Sequence, residues 1–323
     1  MTRTRILAGI FIIILVVVLI ALFHKDSGIE IKNGKIQKKP VVVLSSLAGL
    51  PCENPTRRPW AVMMPSDPET RPLAGIGQAD MVFEMPVTES GVTRMMAVFQ
   101  CTYPSEVGSI RSAREDFLPL ALGLNAILMH WGGEHNALDK LDRGIINNID
   151  CLKLDGSTCL RKKNIPMPHN GYSTADLFLK KATALGYKLE AIINYEHGEN
   201  KSQGIIAPPK LYAGANSVVW SYDPATNLYS RARNGKQEID RGTNVQVTAS
   251  NVVVLNTTST YVSVLYNRVK TVGSGSATVY QNGVAIPAKW QKTSDTNKLM
   301  FLDTADKEIS FVPGSTWIQV ATQ

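Results

Sequence analysis

Arg111 and Arg114 lie three residues apart in the most polar stretch of the chain, Gly108-Ser-Ile-Arg-Ser-Ala-Arg-Glu-Asp116. On a helix that spacing turns two guanidinium forks toward one region. With Ser109 or Ser112 as a cap, the free N–H groups of the helix start would join them in an anion site. A phosphate, pyrophosphate or carboxylate suits such a site. The bland reading is that the arginines pair with Glu115, Asp116 or other carboxylates and lock the fold.

Two further segments carry chemistry. Met129-His-Trp-Gly-Gly133 follows an apolar run, so His130 would stand where a strand opens into Gly132 and Gly133, the place where α/β folds put ligands. Pro168-His-Asn-Gly-Tyr-Ser173 sets His169 and Asn170 just before a helix cap. Either imidazole would serve as acid, base or hydrogen-bond donor, or simply be a satisfied structural histidine. Asp80, Glu84 and Glu89 surround one strand, and Arg94 follows. An even spacing puts Asp80 and Glu84 on one face of that strand. A charge on a buried strand needs a partner, for which Arg111 and Arg114 are candidates.

Several chemistries are disfavoured. There is no Gly-x-Ser-x-Gly elbow and no Gly-x-x-x-x-Gly-Lys-Ser/Thr loop. Gly75-Ile-Gly-Gln-Ala79 lacks the rest of a dinucleotide fingerprint, and no cofactor is expected. His130, Glu134 and His135 miss the inverted zinc motif by one residue, and Gly132-Gly133 would break its helix, so no metal is expected.

The elements that position these residues follow from periodicity. Strands are predicted at 41–44, 60–64, 81–84, 93–101 and 125–130, and helices at 111–124, 135–142 and 173–185, with Ser173 as N-cap and Gly186 past the end. After Pro208-Pro209 the pattern turns to strands, at 217–222, 228–233, 245–248, 251–255, 277–280, 299–302 and 316–320. Asn234-Gly235 and Asn282-Gly283 mark type I′ hairpins, and Gly273-Ser-Gly-Ser276 reads as a flexible turn. The fold class is α+β: a layered α/β region over 41–206 and an antiparallel β-rich region over 207–323.

The chain has 323 residues, 44% hydrophobic and 19% charged, a globular composition with a net charge of +7. Residues 1–40 hold seven basic and two acidic residues, leaving only +2 for the rest. The basic excess therefore belongs to the N-terminal end, and no nucleic-acid partner is expected. There, residues 6–23 form an 18-residue apolar run without charge or proline, preceded by Arg3 and Arg5. That length spans a bilayer, and the arginines favour a cytoplasmic tail at 1–5. The small-residue cleavage pattern of a signal peptide is missing, although cleavage is the competing reading. The expectation is a single-pass signal-anchor in the cell membrane, a polar tether at 24–40, and an extracytoplasmic remainder. All four cysteines fall in that remainder, where disulfides persist. Cys151 and Cys159 flank a turn and suit a short loop closure, which leaves Cys52 with Cys101. Four cysteines allow three pairings, and free buried thiols compete with all of them.

The segments Asn54-Pro-Thr-Arg-Arg-Pro-Trp-Ala-Val-Met-Met64, Arg71-Pro-Leu-Ala-Gly-Ile-Gly-Gln-Ala-Asp-Met-Val-Phe-Glu84, Gly91-Val-Thr-Arg-Met-Met-Ala-Val-Phe99, Val107-Gly-Ser-Ile-Arg-Ser-Ala-Arg114, His130-Trp-Gly-Gly133 and Pro168-His-Asn-Gly-Tyr-Ser173 resemble the YerB-like family of bacterial lipoproteins. Trp220-Ser-Tyr-Asp223, Asn251-Val-Val-Val-Leu255 and Gly314-Ser-Thr-Trp-Ile318 resemble that family's C-terminal region. The resemblance runs from about residue 45 to the end. It implies a mixed, layered fold in an N- and a C-terminal part and no particular activity. The chain departs from the family in having no lipid-attachment cysteine, so an apolar helix would replace the acyl anchor. Pro86-Val-Thr-Glu-Ser and Met63-Met-Pro-Ser-Asp67 also differ from its pattern.

The leading functional expectation is a membrane-anchored binding module. Arg111, Ser112 and Arg114 would hold an anionic envelope ligand, in a pocket lined by Glu84, Arg94, His130, Gly132, Gly133, His169 and Asn170. The rivals are an envelope hydrolase or transferase using His130 or His169 with Glu84, and a scaffold that captures an envelope protein through residues 210–323.

Overall fold

The computed structural model describes residues 29–32, 35–38, 43–191 and 193–322. The 6–23 anchor segment lies outside the described residues, and among these no helix is long and apolar enough to cross a membrane. Within the segment read as a tether, β1 (Ile29–Lys32) and β2 (Lys35–Lys38) pair antiparallel. This small unit is separate from the compact body, Leu44–Gln323.

In chain order the first half of the body carries β3 (Trp60–Pro65), β4 (Met81–Pro86), β5 (Thr93–Phe99), β6 (Val107–Gly108), α1 (Leu118–Gly123), β7 (Ile127–His130), α2 (His135–Asp142), β8 (Asn148–Asp150), β9 (Leu160–Arg161), β10 (Gly171–Ser173) and α3 (Ala175–Ala184). The second half carries β11 (Val218–Asp223), β12 (Leu228–Arg233), β13 (Lys236–Gln237), β14 (Thr248–Ala249), β15 (Asn251–Thr257), β16 (Ser259–Ser263), β17 (Tyr266–Val269), β18 (Gly273–Gln281), β19 (Val284–Lys292), β20 (Met300–Leu302) and β21 (Thr316–Thr322).

One ten-stranded sheet, ordered β20-β19-β18-β15-β21-β4-β5-β3-β7-β8, runs through both halves. Its central strands β3, β4 and β5 are buried at every position, as near-continuous apolar runs covered on both faces should be. Met81, Phe83 and Met85 point into one core, with Phe117, Leu120 and Leu141 of the α1–α2 side. Val82 points into the other, with Phe178 of α3 and Trp220 and Tyr229 of the β11–β12 sheet. Helices on one face, and a helix plus a small sheet on the other, make an α+β fold dominated by strands.

The strands at 60, 81, 93, 127, 218, 228, 251, 300 and 316 stand where periodicity put them. Asn234-Gly235 and Asn282-Gly283 turn their hairpins with positive φ at all four residues. Four readings are corrected. The helix expected from Arg111 begins only at Leu118, after a single turn of 3-10 helix over Glu115–Phe117. Pro119 explains part of this, because proline is welcome in a first turn and disruptive in a helix interior. The α3 cap is Thr174, whose Oγ1 accepts from the Leu177 N–H at 3.1 Å, while Ser173 belongs to β10. Gly273–Ser276 opens β18 instead of forming a turn. The C-terminal region is not wholly antiparallel: β21 runs parallel to both β15 and β4, and so joins the halves.

Candidate anion site

Residues 110–113 are extended because their backbone is used on both sides. The Ile110 N–H donates to the Gly171 carbonyl (2.8 Å), Arg111 to Met63 (2.8 Å) and Ala113 to Gly132 (2.9 Å). The Trp131 N–H donates back to the Arg111 carbonyl at 3.0 Å. These bonds splice the segment between the ends of β3 and β7 and the start of β10. A helix there would forfeit all of them, so tertiary pairing overrides the helical spacing. Arg111 therefore lies outside any helix start, and Arg114 only precedes the single 3-10 turn at Glu115–Phe117, with no side-chain cap hydrogen bond there.

Arg111 and Ser112 line a cavity of about 340 Å³, together with Trp131, Gly132, Gly133 and Arg161. The Arg111 Nη1 donates to the Pro168 carbonyl at 3.3 Å. The Arg161 guanidinium stacks 4.3 Å from the Trp131 ring centroid and donates to Asn170 Oδ1 at 3.0 Å. Leu152 and Met167, both exposed, form the rim.

Arg94 lies within reach of the Arg111 and Arg114 charges but, like Arg114, does not line this cavity. It is only 5% exposed, and its Nε and Nη1 have no hydrogen-bond partner among the described residues. Asp67 stands 3.7 Å away, outside hydrogen-bonding distance. Burial, then the neighbouring Arg114 and Arg111 charges, pull the Arg94 guanidinium down to about 9, and Asp67 offsets only part. Burial also lowers Arg114, whose guanidinium lies 5.5 Å from the Tyr266 ring centroid. The carboxylates near Arg114 are already engaged. Arg268 Nη1 donates to Asp116 at 3.0 Å and to Glu134 at 3.1 Å, and the Val269 N–H donates to Asp116 at 2.8 Å. Arg94 is thus a buried guanidinium with two donors that make no hydrogen bond among the described residues, under the influence of two further guanidinium charges.

The other expected site residues are dispersed. Glu84 is fully buried and clamped by Arg231 and Arg233 of β12, not by Arg111 or Arg114. Thr93 Oγ1 donates to it at 2.5 Å, and Arg233 Nη2 at 2.6 Å. Burial alone would raise its pKa, but the two guanidiniums hold it below the usual carboxylate range. Asp80, although on the same face, is spent on the Gln100 and Cys101 N–H groups at 2.6 and 2.9 Å. His130 is 1% exposed, with Nδ1 2.8 Å from the Gly132 carbonyl and Nε2 3.2 Å from Asn148 Oδ1. It and Glu84 face opposite sides of the sheet, three strands apart, or roughly 14 Å at ~4.8 Å per spacing. The expected His130–Glu84 pair does not form. Gly132 and Gly133 do line the cavity, and Gly132 uses its positive φ to aim its N–H at Asp150 Oδ1 (3.0 Å). His169 follows the cavity residue Pro168, and its Nδ1 is buried without a partner among the described residues. Asn170 is a support for Arg161.

Sequence reasoning missed Arg161 and Trp131 as cavity residues, and Arg231 and Arg233 as partners of Glu84. The run Arg161-Lys-Lys just ahead of Pro168 was the available signal for the first. Nothing local points to the second, since 147 residues separate Arg231 from Glu84. Both disulfides, Cys52–Cys101 and Cys151–Cys159, are formed, and the second braces the loop that carries Leu152. Among the described residues, no group of three or more His, Cys, Asp or Glu side chains is placed to hold a metal ion.

Known proteins share this fold. The solved crystal structure of the YerB protein from Bacillus subtilis matches with a TM-score of 0.78 and 30% identity, over 87% of this chain and 97% of that one. The protein named "Putative lipoprotein YerB" of Bacillus subtilis (strain 168) is 30% identical over 284 residues, 85% of each chain. Residues 47–188 match the N-terminal domain, and residues 209–318 the C-terminal domain, of a family described as protein of unknown function (DUF3048). The chain belongs to this DUF3048, YerB-like family.

Proposed function

We propose that the protein is a membrane-associated, extracytoplasmic binding module whose Arg94, Arg111 and Arg114 hold an anionic group, a phosphate or carboxylate, of a cell-envelope ligand. The observation that carries this reading is the buried Arg94 guanidinium, with two nitrogens that make no hydrogen bond among the described residues and the Arg111 and Arg114 charges acting on it. Asp67, at 3.7 Å, offsets one of the three positive charges, and a bound anion would offset the others. Two disulfides support a location outside the reducing cytoplasm, and the relative's name supports association with the membrane.

Isothermal titration of the full chain with inorganic phosphate and pyrophosphate tests the reading. Binding is expected for the native chain, and loss of binding for an Arg111→Ala/Arg114→Ala variant that keeps its melting transition. Equal affinity in the two proteins removes the proposal.

A further inference from the structure

Two exposed apolar protrusions border the arginine cluster. The first is the turn of the β16–β17 hairpin, where Tyr261, Val262, Val264 and Leu265 are each more than half exposed, Val264 by 78%. From Ser259 to Asn267 there is no charged residue. Among the described residues the hairpin strands pair only with each other, yet the hairpin's base is fixed: the Asn267 N–H donates to the Val87 carbonyl at 3.2 Å, and Arg268 and Val269 bind Asp116. The second protrusion is Leu152 with Met167, exposed at 58% and 68%, at the cavity mouth.

Each protrusion is one residue from an arginine contact. Leu265 precedes Tyr266, whose ring lies by Arg114, and Met167 precedes Pro168, whose carbonyl takes Arg111. The surface thus sets cations between apolar projections. Free hairpins in water are normally guarded by charge, and this one is not. An uncharged tip with tyrosines at both ends has the composition of an element that rests at a membrane–water interface, ring bodies in the apolar zone and hydroxyls in water. The chain brings its own access to such a surface, because the apolar run at 6–23 is joined to the body by about 20 residues, whose reach falls below the ~70 Å of an extended chain because β1 and β2 fold back on each other.

We propose that this face lies against the bilayer, with the two protrusions in the interface, and that the phosphate held by Arg111 and Arg114 is carried by a lipid. The lipid part rests on the anion reading above; the apposition of the face does not.

The test uses the full chain reconstituted in phosphatidylethanolamine/phosphatidylglycerol vesicles. An environment-sensitive dye is placed on single introduced cysteines, Val264→Cys, Met167→Cys and, as reference, Ala305→Cys in a distant exposed turn. Iodide in the water is expected to quench the dye at 264 and 167 several-fold less than at 305, and spin-labelled acyl chains to quench those two more. Equal iodide quenching at all three positions overturns the proposal. So does protection that grows with protein density and ignores spin-labelled lipid, which would mean two copies covering each other. A chain that fails to float with the vesicles overturns it together with the anchor. In the Arg111→Ala/Arg114→Ala variant the dyes stay protected while phosphate binding is lost. Binding of free phosphate by a chain whose dyes are all exposed refutes the lipid source and spares the anion site.

Discussion

Asp67 stops 3.7 Å short of Arg94, and no other carboxylate comes closer to that buried guanidinium among the described residues. An ion pair built for stability would close this gap. The open distance leaves Arg94 held by burial against its own charge, while Arg111 and Arg114 add repulsion. Such an arrangement costs stability.

Arg94→Met is therefore expected to melt higher than the native chain in phosphate-free buffer, and to lose the increase in melting temperature that phosphate gives the native protein. Ligand at 100 times its dissociation constant stabilises by about 2.7 kcal/mol, which a thermal melt resolves. The sign with pH follows from the lowered value. From about 9 up to the ordinary arginine range the folded state binds fewer protons than the unfolded one, so this group makes stability rise with pH across that window. At neutral pH both states are protonated and the full penalty applies. A lower melting temperature for Arg94→Met would mean that the guanidinium supports the fold.

Glu84 shows the opposite economy. It and Glu238 together neutralise Arg231 and Arg233 in a closed network, with the Arg231 guanidinium stacked 4.2 Å from the Trp317 centroid. Glu84→Gln leaves excess buried positive charge between the central sheet and the β11–β12 sheet, and is expected to cost about 3–5 kcal/mol. Denaturant unfolding measures it. Because the folded-state value of Glu84 is depressed, its contribution is present above the normal carboxylate pKa and is lost as pH falls through the depressed value. Glu84→Gln should accordingly flatten the acid limb of the stability curve.

These two residues also mark how far the sequence could be read. Arg94 and Glu84 announce themselves as the one charge each in strands that are otherwise apolar but for Thr93, and the strands themselves follow from β-branched and aromatic runs of local origin. Their partners do not. The β12 arginines reach Glu84 only because β21 inserts parallel to β4, and strand pairing across 235 residues leaves no trace in local periodicity. The false helix at 111–114 has the same cause. Its helical spacing is real, but backbone partners on three distant segments outweigh the small propensity differences that favour a helix. His130 and His169 were legible as strand-end and pre-helix residues, whereas the hydrogen bonds that bury His130 come from the fold alone.

Asp116 ties the hairpin base to the arginine cluster from a buried position that penalises its charge, so its deprotonation is expected to lower stability. Burial raises its carboxyl to about 6, with Glu134 adding repulsion, against the opposing hydrogen bonds of Val269 and Arg268. A raised folded-state value means that its stabilising contribution is complete below about 4 and is lost as pH rises through about 6, on the order of 3 kcal/mol at most. Stability measured from pH 4 to 7 should fall by part of this amount in the native chain, and the fall should vanish in Asp116→Asn, which retains an acceptor for the Val269 N–H. An unchanged slope in that variant would assign the pH dependence elsewhere.

Gly171 decides whether Trp131 keeps its place at the cavity. A Cβ at position 171 would stand 2.4 Å from the Trp131 ring, closer than side chains tolerate. The ring cannot retreat freely, because the Arg161 guanidinium lies over it and is itself held by Asn170 and Asp155. Gly171→Ala should therefore push Trp131 and Arg161 together, at an overpacking cost of about 1–3 kcal/mol, and distort the wall opposite Arg111. The expected result is weaker phosphate binding with a shifted tryptophan emission, while the Glu84 network and the far end of the sheet are unaffected in hydrogen exchange. Native affinity in Gly171→Ala would show that the anion sits on the Arg94 and Arg114 side of the cluster, away from the Trp131 wall. The same titration on Arg161→Ala then separates the two positions, since only an anion inside the cavity reaches both Arg111 and Arg161.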